Sequence, residues 1–442
     1  VMTLAGLPLW IMLLIVFTFG AVIGSFLNVC IYRIPQHERL WDQLRGLNHP
    51  PSSCPFCRRR ILARDNIPIL GWLILGGRCR FCRHHISMRY MLIEAFNGLL
   101  LAGLYAAIVP GGYSATAEQS CLWWTHSPLQ VYAGNLGAQS WLLNAQFFYY
   151  AVLVEALLVA TFIDFDLRII PDGVTLPAML VGVLGAVTIG HLTLVPVWFT
   201  DPSMARLLQS ALPTGVQGWI SSEAVPAWIA RWPHWHGLAA SLAGIVVGGG
   251  VVWIVRAVGA WVLRQEAMGF GDVILMAMIG SFLGWQATIV VFFIAPLFAI
   301  LAVAVTLLWR REREIPYGPY LSLAAVTLLF GWQWLWPAAE RFFALGWLFP
   351  ILALIMVGLL VVSLWMVQGL KWLVGIPLYP PEPEGEWTSA DQLAFYAGKD
   401  VSPGHRVLRP AAWPGVAAGQ GRSHVQQWQG IGPGSAGFRW KR

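Results

Sequence analysis

Apolar residues in this chain do not alternate with polar ones at a strand period, nor do they form one-sided helical stripes. They come in long unbroken runs, near 8–31, 91–109, 145–163, 173–196, 238–262, 273–285, 287–308, 317–332 and 347–369. A helix needs about 20 apolar residues to cross a bilayer. Most of these runs reach that length, and those at 273–285 and 317–332 are short. In hydrocarbon every backbone N–H and C=O must be satisfied inside its own segment, which favours helices for runs of this kind. The pattern predicts an all-α polytopic membrane protein with about eight or nine transmembrane helices.

Composition strengthens this reading. Hydrophobic residues make up 57% of the 442 and charged residues only 11%, where soluble chains carry about 25% charge. The mean hydropathy is +0.63. A soluble globule, a disordered polymer and a small disulfide scaffold are excluded. The net charge of +7 is unevenly placed: between Arg33 and Met91 there are eleven arginines against Glu38, Asp42 and Asp65, a local excess of +8. By the positive-inside rule this stretch lies in the cytoplasm and the N-terminus outside. Loops 110–144 and 197–237, with little net charge, then fall outside. Arg310, Arg311, Arg313 and the basic tail fall inside, so alternation holds along the chain. The first run has no Lys or Arg before Arg33 and is too long for a cleaved signal. Membrane lipid headgroups account for the basic stretch, and nucleic acid is not expected as a partner. The chain divides into a first span (1–32), a cytoplasmic domain (33–90), a membrane core (91–332), an additional membrane segment (333–375) and a Pro- and Gly-rich cytoplasmic tail (376–442) in which little order is expected. No internal repeat is evident.

The cytoplasmic domain holds Cys54-Pro-Phe-Cys57 and Cys79-Arg-Phe-Cys82, two CxxC pairs separated by 21 residues. Two short loops that each present two thiolates are what a tetrahedral zinc ribbon requires. Nearby arginines favour the thiolate form, and a reducing cytosol disfavours disulfides. Two redox pairs or free cysteines are the competing readings. Four thiolates leave no open position, so the zinc would be structural. Cys30 and Cys121 read as ordinary packing or loop residues.

Acidic residues are scarce in the apolar runs, and an ionisable group at membrane depth is a functional candidate. One cluster is Asp164, Asp166 and Asp172, in Asp164-Phe-Asp-Leu-Arg-Ile-Ile-Pro-Asp172 at the end of the third span. The other is Glu266-Ala-Met-Gly269-Phe-Gly-Asp272 at the end of the fifth, and both fall on the cytoplasmic face. Two adjacent carboxyls share a proton: one activates a water and the other polarises a scissile carbonyl. Gly269 and Gly271 permit irregular backbone beside a substrate strand. Asp172 reads as a helix cap. Asp166 reads as solvated, paired with Arg168 or catalytic. Glu155, deeper in the third span, is a further costly acid.

Taken together these segments resemble the type IV prepilin leader peptidase/N-methyltransferase family of membrane aspartic proteases. The residues that carry the likeness are Gly24-Ser-Phe-Leu-Asn-Val-Cys-Ile-Tyr-Arg-Ile-Pro35, the double CxxC around Asp65-Asn-Ile-Pro-Ile-Leu-Gly-Trp72, Ile86 to Tyr90 with Glu94, the Asp164–Asp172 segment, and Gly269 to Asp272. The resemblance implies Asp164 and Asp272 as the catalytic pair. It also implies cleavage of a basic leader after glycine in prepilin or pseudopilin precursors, at the cytoplasmic face of the bacterial inner membrane. Methylation of the new N-terminus by S-adenosylmethionine is implied with it, with no residues assigned to the methyl donor. Two other readings stay open: another Gly-x-Gly-Asp intramembrane protease, and a non-enzymatic zinc-ribbon membrane component.

Overall fold

The computed structural model describes residues 7–37, 39–47, 52–54, 56–109, 140–190, 192–211, 213, 225–263, 268–308 and 316–374. Most of the expected outer loop at 110–144, Cys121, the basic cluster at Arg310 and the tail from 376 lie outside the described residues.

The described chain is helical: α1 (Leu9–Arg33), α2 (Leu40–Gly46), α3 (Leu70–Ile74), α4 (Met88–Ile108), α5 (Ser140–Leu167), α6 (Asp172–Ile189) and α7 (Pro202–Ala211), then α8 (Ala227–Arg231), α9 (Pro233–Leu263), α10 (Phe270–Leu283), α11 (Trp285–Leu308), α12 (Gly318–Phe330), α13 (Trp332–Phe343) and α14 (Phe349–Leu373). No strand forms among the described residues; two isolated antiparallel bridges, Ser53 with Arg60 and Arg78 with His85, lie in the cysteine-bearing segment.

All nine apolar runs are helical, yet the number of spans is lower than nine. Seven described helices are long and apolar enough to cross a membrane, or eight if α12 and the rest of α13, bent by 100°, form one broken span. The run at 273–285 becomes α10, a helix of 14 residues, about 21 Å long at 1.5 Å per residue. A helix that lies inside protein need not match the lipid thickness. From Asp272 to Leu283 all of its residues but Ile274 are buried. Gly284, with φ +78, ends it and lets α11 begin at once.

The chain separates into two compact units. The first comprises the described parts of Val1–Leu13, Gly103–Leu158 and Thr175–Pro380. Here α9 and α10 cross with their backbones in contact: a Cβ on Gly244 would collide with the Gly280 carbonyl, and one on Gly280 with that of Gly244. Lipid offers no hydrophobic drive to hold two helices together, so close backbone approach and buried hydrogen bonds do it. Ser241 Oγ donates to the Ser281 carbonyl at 2.8 Å, and Tyr149 Oη donates to the carbonyls of Gly182 at 2.8 Å and Ser281 at 3.2 Å. Tyr149 thereby ties α5 and α6 to α10. By contrast α14 has no buried residue.

The second unit comprises Leu14–Ala102 and Val159–Val174. Its helices α1 and α4 cross at Gly20, Gly24 and Gly98, where a Cβ on Gly20 would come within 2.9 Å of the Gly98 Cα. Asn97, fully buried, donates to the Gly20 carbonyl at 2.9 Å, and Asn28 donates to that of Tyr90 at 3.1 Å.

The α9–α10 crossing predicts that Gly280→Leu lowers stability by at least about 1–3 kcal/mol, the usual cost of overpacking. A clear fall in the melting temperature of the detergent-purified protein would show this. Gly250→Ala, on the same helix α9 but with nothing within 4 Å of its added Cβ, should leave that temperature unchanged.

Candidate active site and metal centre

The four cysteines converge. Their sulfurs lie within 4.8 Å of one another, with Cys54 Sγ 3.8 Å from Cys82 Sγ and Cys57 Sγ 4.0 Å from Cys79 Sγ. A zinc ion 2.3 Å from each of four tetrahedral thiolates requires sulfurs about 3.8 Å apart. The donor set therefore fits a closed, four-thiolate cation site. Burial pushes the Cys54 thiol up to about 11. Backbone N–H groups of Cys82 and Phe81 donate to Cys79 and bring it down to about 7, against that residue's own burial.

Each pair sits on the same backbone loop. Cys54 N–H donates to Arg59 and Arg58 N–H to Cys54, at 3.0 and 2.9 Å. Cys79 N–H donates to His84 and Arg83 N–H to Cys79, at 2.8 and 3.0 Å. Arg58 and Arg83 share a left-handed φ of +56 and +57. Phe56 packs on His84 of the other loop, and Arg59 lies over Phe81, 5.1 Å from the ring centre. The loops are thus two copies of one unit, Cys-x-Phe-Cys-Arg. The two CxxC pairs quoted from the sequence thus fold alike as well as read alike.

Between the loops, Asp65 takes both arms of Arg80 at 2.7 and 2.5 Å, and that hydrogen-bonded guanidinium holds the Asp65 carboxyl below its ordinary range. Ile69 adopts φ +62, a conformation that β-branched residues avoid. Its N–H is held at 2.7 Å by Glu94 Oε2 from α4. Trp72 Nε1 donates to the Ile86 carbonyl at 3.0 Å. The residues singled out between Asp65 and Glu94 therefore tie the ribbon to the top of α4.

Asp164 lies in the last turn of α5 and is 6% exposed; Asp272 lies in the first turn of α10 and is 8% exposed. They belong to different units of the fold. Asp272 stands three residues after the N-cap Gly269, and its carboxyl accepts the Gly269 N–H. This is one half of a capping box. Within Gly269–Asp272 the non-helical residue is Gly269, in the extended region at φ −69 and ψ 151, while Gly271 is already helical. The phenol of Tyr317, the N-cap of α12, is near enough to feel the Asp272 charge. Its only signal in sequence is a tyrosine set in Pro316-Tyr-Gly-Pro319 ahead of an apolar run.

Asp166 has a partner that its local sequence does not suggest. Arg89, 77 residues earlier, grips both of its oxygens, at 3.0 and 2.6 Å. Asp172 begins α6, but it is Gln43 of α2 that caps a free N–H there. Gln43 Oε1 accepts the Gly173 N–H at 2.7 Å, and Gln43 Nε2 donates to the His37 carbonyl at 2.8 Å. A side chain on Gly173 would strike Gln43.

Comparison with known proteins bears on this arrangement. Residues 18–108 match the bacterial peptidase A24 N-terminal domain, and residues 219–305 match the type IV leader peptidase family. The chain is 30% identical over 348 residues to the prepilin leader peptidase/N-methyltransferase of Aeromonas salmonicida (strain A449), covering 74% of this chain and 93% of that protein. The chain belongs to the type IV prepilin leader peptidase family. A prepilin leader peptidase/N-methyltransferase of Burkholderia pseudomallei (strain 1026b) is 29% identical over 350 residues, covering 74% of this chain and 88% of that protein. The type 4 prepilin-like proteins leader peptide-processing enzyme of Escherichia coli O78:H11 is 29% identical over 322 residues, covering 70% and 91%. No solved structure matches the chain. The ribbon lies within the first of the family's two matched stretches and Asp272 within the second, while Asp164 lies between them.

The Gln43 cap predicts that Gln43→Ala, which leaves the buried Gly173 N–H without an acceptor, costs about 1–3 kcal/mol. The melting temperature should fall while the metal content of the purified protein stays the same.

Proposed function

We propose that this protein is a prepilin leader peptidase that uses Asp164 and Asp272 as its catalytic pair. The observation that carries the assignment is the burial of both carboxyls at the ends of apolar helices, where an acid without a task is costly. Full processing pairs cleavage with N-methylation, the two activities in the relatives' names.

The chemistry asks one carboxyl to be ionised and the other protonated. The ionised group takes a proton from water, and the resulting hydroxide attacks the scissile carbonyl carbon. The protonated group gives its proton to the carbonyl oxygen. Collapse of the tetrahedral diol breaks the C–N bond: the leaving amine receives the proton first taken from water, and a diol hydroxyl returns its proton to the second carboxylate, which restores the pair. A metal-free pair suffices, which matches a cysteine site with no open coordination position. Zinc would be held by Cys54, Cys57, Cys79 and Cys82 and would supply only the cross-link that fixes the ribbon. S-adenosylmethionine is the methyl donor in this reading. No cradle for it stands out among the described residues, and the peptidase step needs nothing from it.

Sidedness follows from charge. The arginine-rich domain belongs to the cytoplasmic face of the bacterial inner membrane, and a precursor's leader that has not crossed that membrane meets both aspartates there. The substrate class is prepilin or pseudopilin precursors with a basic leader, cut after glycine.

Asp164→Asn and Asp272→Asn should each reduce precursor cleavage by at least about 10²–10⁴-fold, the usual worth of a general acid or base. The protein should still accumulate in the membrane. Cleavage at the wild-type rate by either variant sinks the assignment. Elemental analysis should find close to one zinc per chain, and any single Cys→Ser change at the four positions should release it. Well-folded protein prepared without chelator and free of metal would refute the ribbon.

A further inference from the structure

We infer that Arg89 is a positioning residue for the reaction: through Asp166 it sets the rotation of the helix end that carries Asp164. The inference rests on the assignment of Asp164 as catalytic.

Asp164 sits where a helix is least self-supporting. The last four carbonyls of α5 have no intrahelical partners, and such ends fray. Immediately after α5, Arg168 turns left-handed at φ +57, its N–H still bonded to the Asp164 carbonyl at 2.9 Å. A catalytic carboxyl in such a turn needs an outside hold, because a shift of about 1 Å can cost about 10²-fold in rate.

Arg89 supplies that hold. Its guanidinium forms a two-bond fork to Asp166 and lies 5.2 Å from the ring centre of Phe162. Residues 162 and 166 are four apart, so they share one face of α5. Residue 164 stands midway in sequence, about 200° around the helix from each at 3.6 residues per turn. The clamp therefore grips the face of α5 opposite Asp164. A fork resists twisting as a single bond cannot. Charge argues the same way: Asp166 alone would be disfavoured at the negative end of the helix dipole, where a cation is welcome.

Arg89 is itself anchored. It lies in the first turn of α4, and its N–H donates to Ser87 Oγ at 3.2 Å. One residue further back, Ile86 N–H donates to the Gly77 carbonyl at 2.7 Å, and the Ile86 carbonyl accepts Trp72 Nε1. Gly77 lies two residues before Cys79. The path from the cysteine ribbon to Asp164 thus runs through backbone bonds and one guanidinium. On this view the ribbon acts on the reaction as a rigid mount for Arg89.

The test uses full-length, zinc-loaded enzyme in detergent and a synthetic precursor peptide with a basic leader, a glycine and an apolar stretch. Arg89→Gln and Asp166→Asn should each lower kcat by about 10- to 100-fold. KM should change by less than about two-fold, with zinc content unchanged, because the clamp touches neither peptide nor metal. Combining the two changes should cost no more than the worse single one, since both break the same pair. If Arg89→Gln does not accumulate, Asp166→Asn carries the test through its kcat alone. The inference is overturned by a wild-type kcat in the single variants, by losses that multiply in the double variant, or by a loss confined to KM or accompanied by lost zinc. Asp164→Asn is assayed alongside. Full activity there overturns the catalytic assignment and this inference with it; an inactive Asp164→Asn beside a fully active Asp166→Asn overturns the inference alone.

Discussion

Hydrocarbon offers a backbone no hydrogen-bond partner, and most of this molecule follows from that constraint. Each apolar run closes its own ladder of bonds as a helix. Helices that already prefer lipid can be held together only by close approach and by polar groups with no alternative partner. The Gly244–Gly280 crossing, the Tyr149 hydroxyl bridging Gly182 and Ser281, and Asn97 on the Gly20 carbonyl are instances of these two means. The same constraint makes Asp164 and Asp272 conspicuous. Both stand at helix ends, where the ladder is open, and Asp272 satisfies the N–H of Gly269 while it stands there.

The arginine-rich segment between α1 and α4 solves a different problem. It is too short and too rich in arginine to build an apolar core, so it is stapled: by four sulfurs spaced for one cation, by the Asp65–Arg80 fork and by the Glu94 hold on a left-handed Ile69. Small units of this kind need such staples because burial alone cannot offset the entropy of ordering the chain. The staples end at the first turn of α4, where Arg89 begins. The segment is in this way joined to a carboxyl in a neighbouring helix, that of Asp166.

The helix ends around Asp164 and Asp172 are held by side chains from elsewhere in the chain. Capping by Gln43 fixes the start of α6, and Arg89 fixes the end of α5. The short link between them, Arg168 to Pro171, is gripped at both ends. Tyr317 holds a comparable place beside Asp272, within reach of its charge but in a different helix.

Much of this was legible in the residues alone. Run length announced a helical membrane protein, CxxC spacing announced a metal site, and the scarcity of acids in apolar runs drew attention to the segments around Asp164 and Asp272, among whose acids the family resemblance made the choice. These are local properties: a lipid-facing helix, a two-thiolate loop and a costly charge each depend on a few consecutive residues. What the tertiary structure decided is non-local. The run at 273–285 reads as a short span, and only its neighbours make it a buried helix that need not match the bilayer. Asp166 reads as free or paired with Arg168, and only folding brings Arg89 to it from 77 residues away. The cap of α6 comes from Gln43, 130 residues earlier. The two cysteine loops match in sequence, but only the structure shows Arg58 and Arg83 turning the same way. Sequence periodicity reports what a segment does with solvent; it carries no record of which distant side chain completes a hydrogen bond, because that is settled by packing.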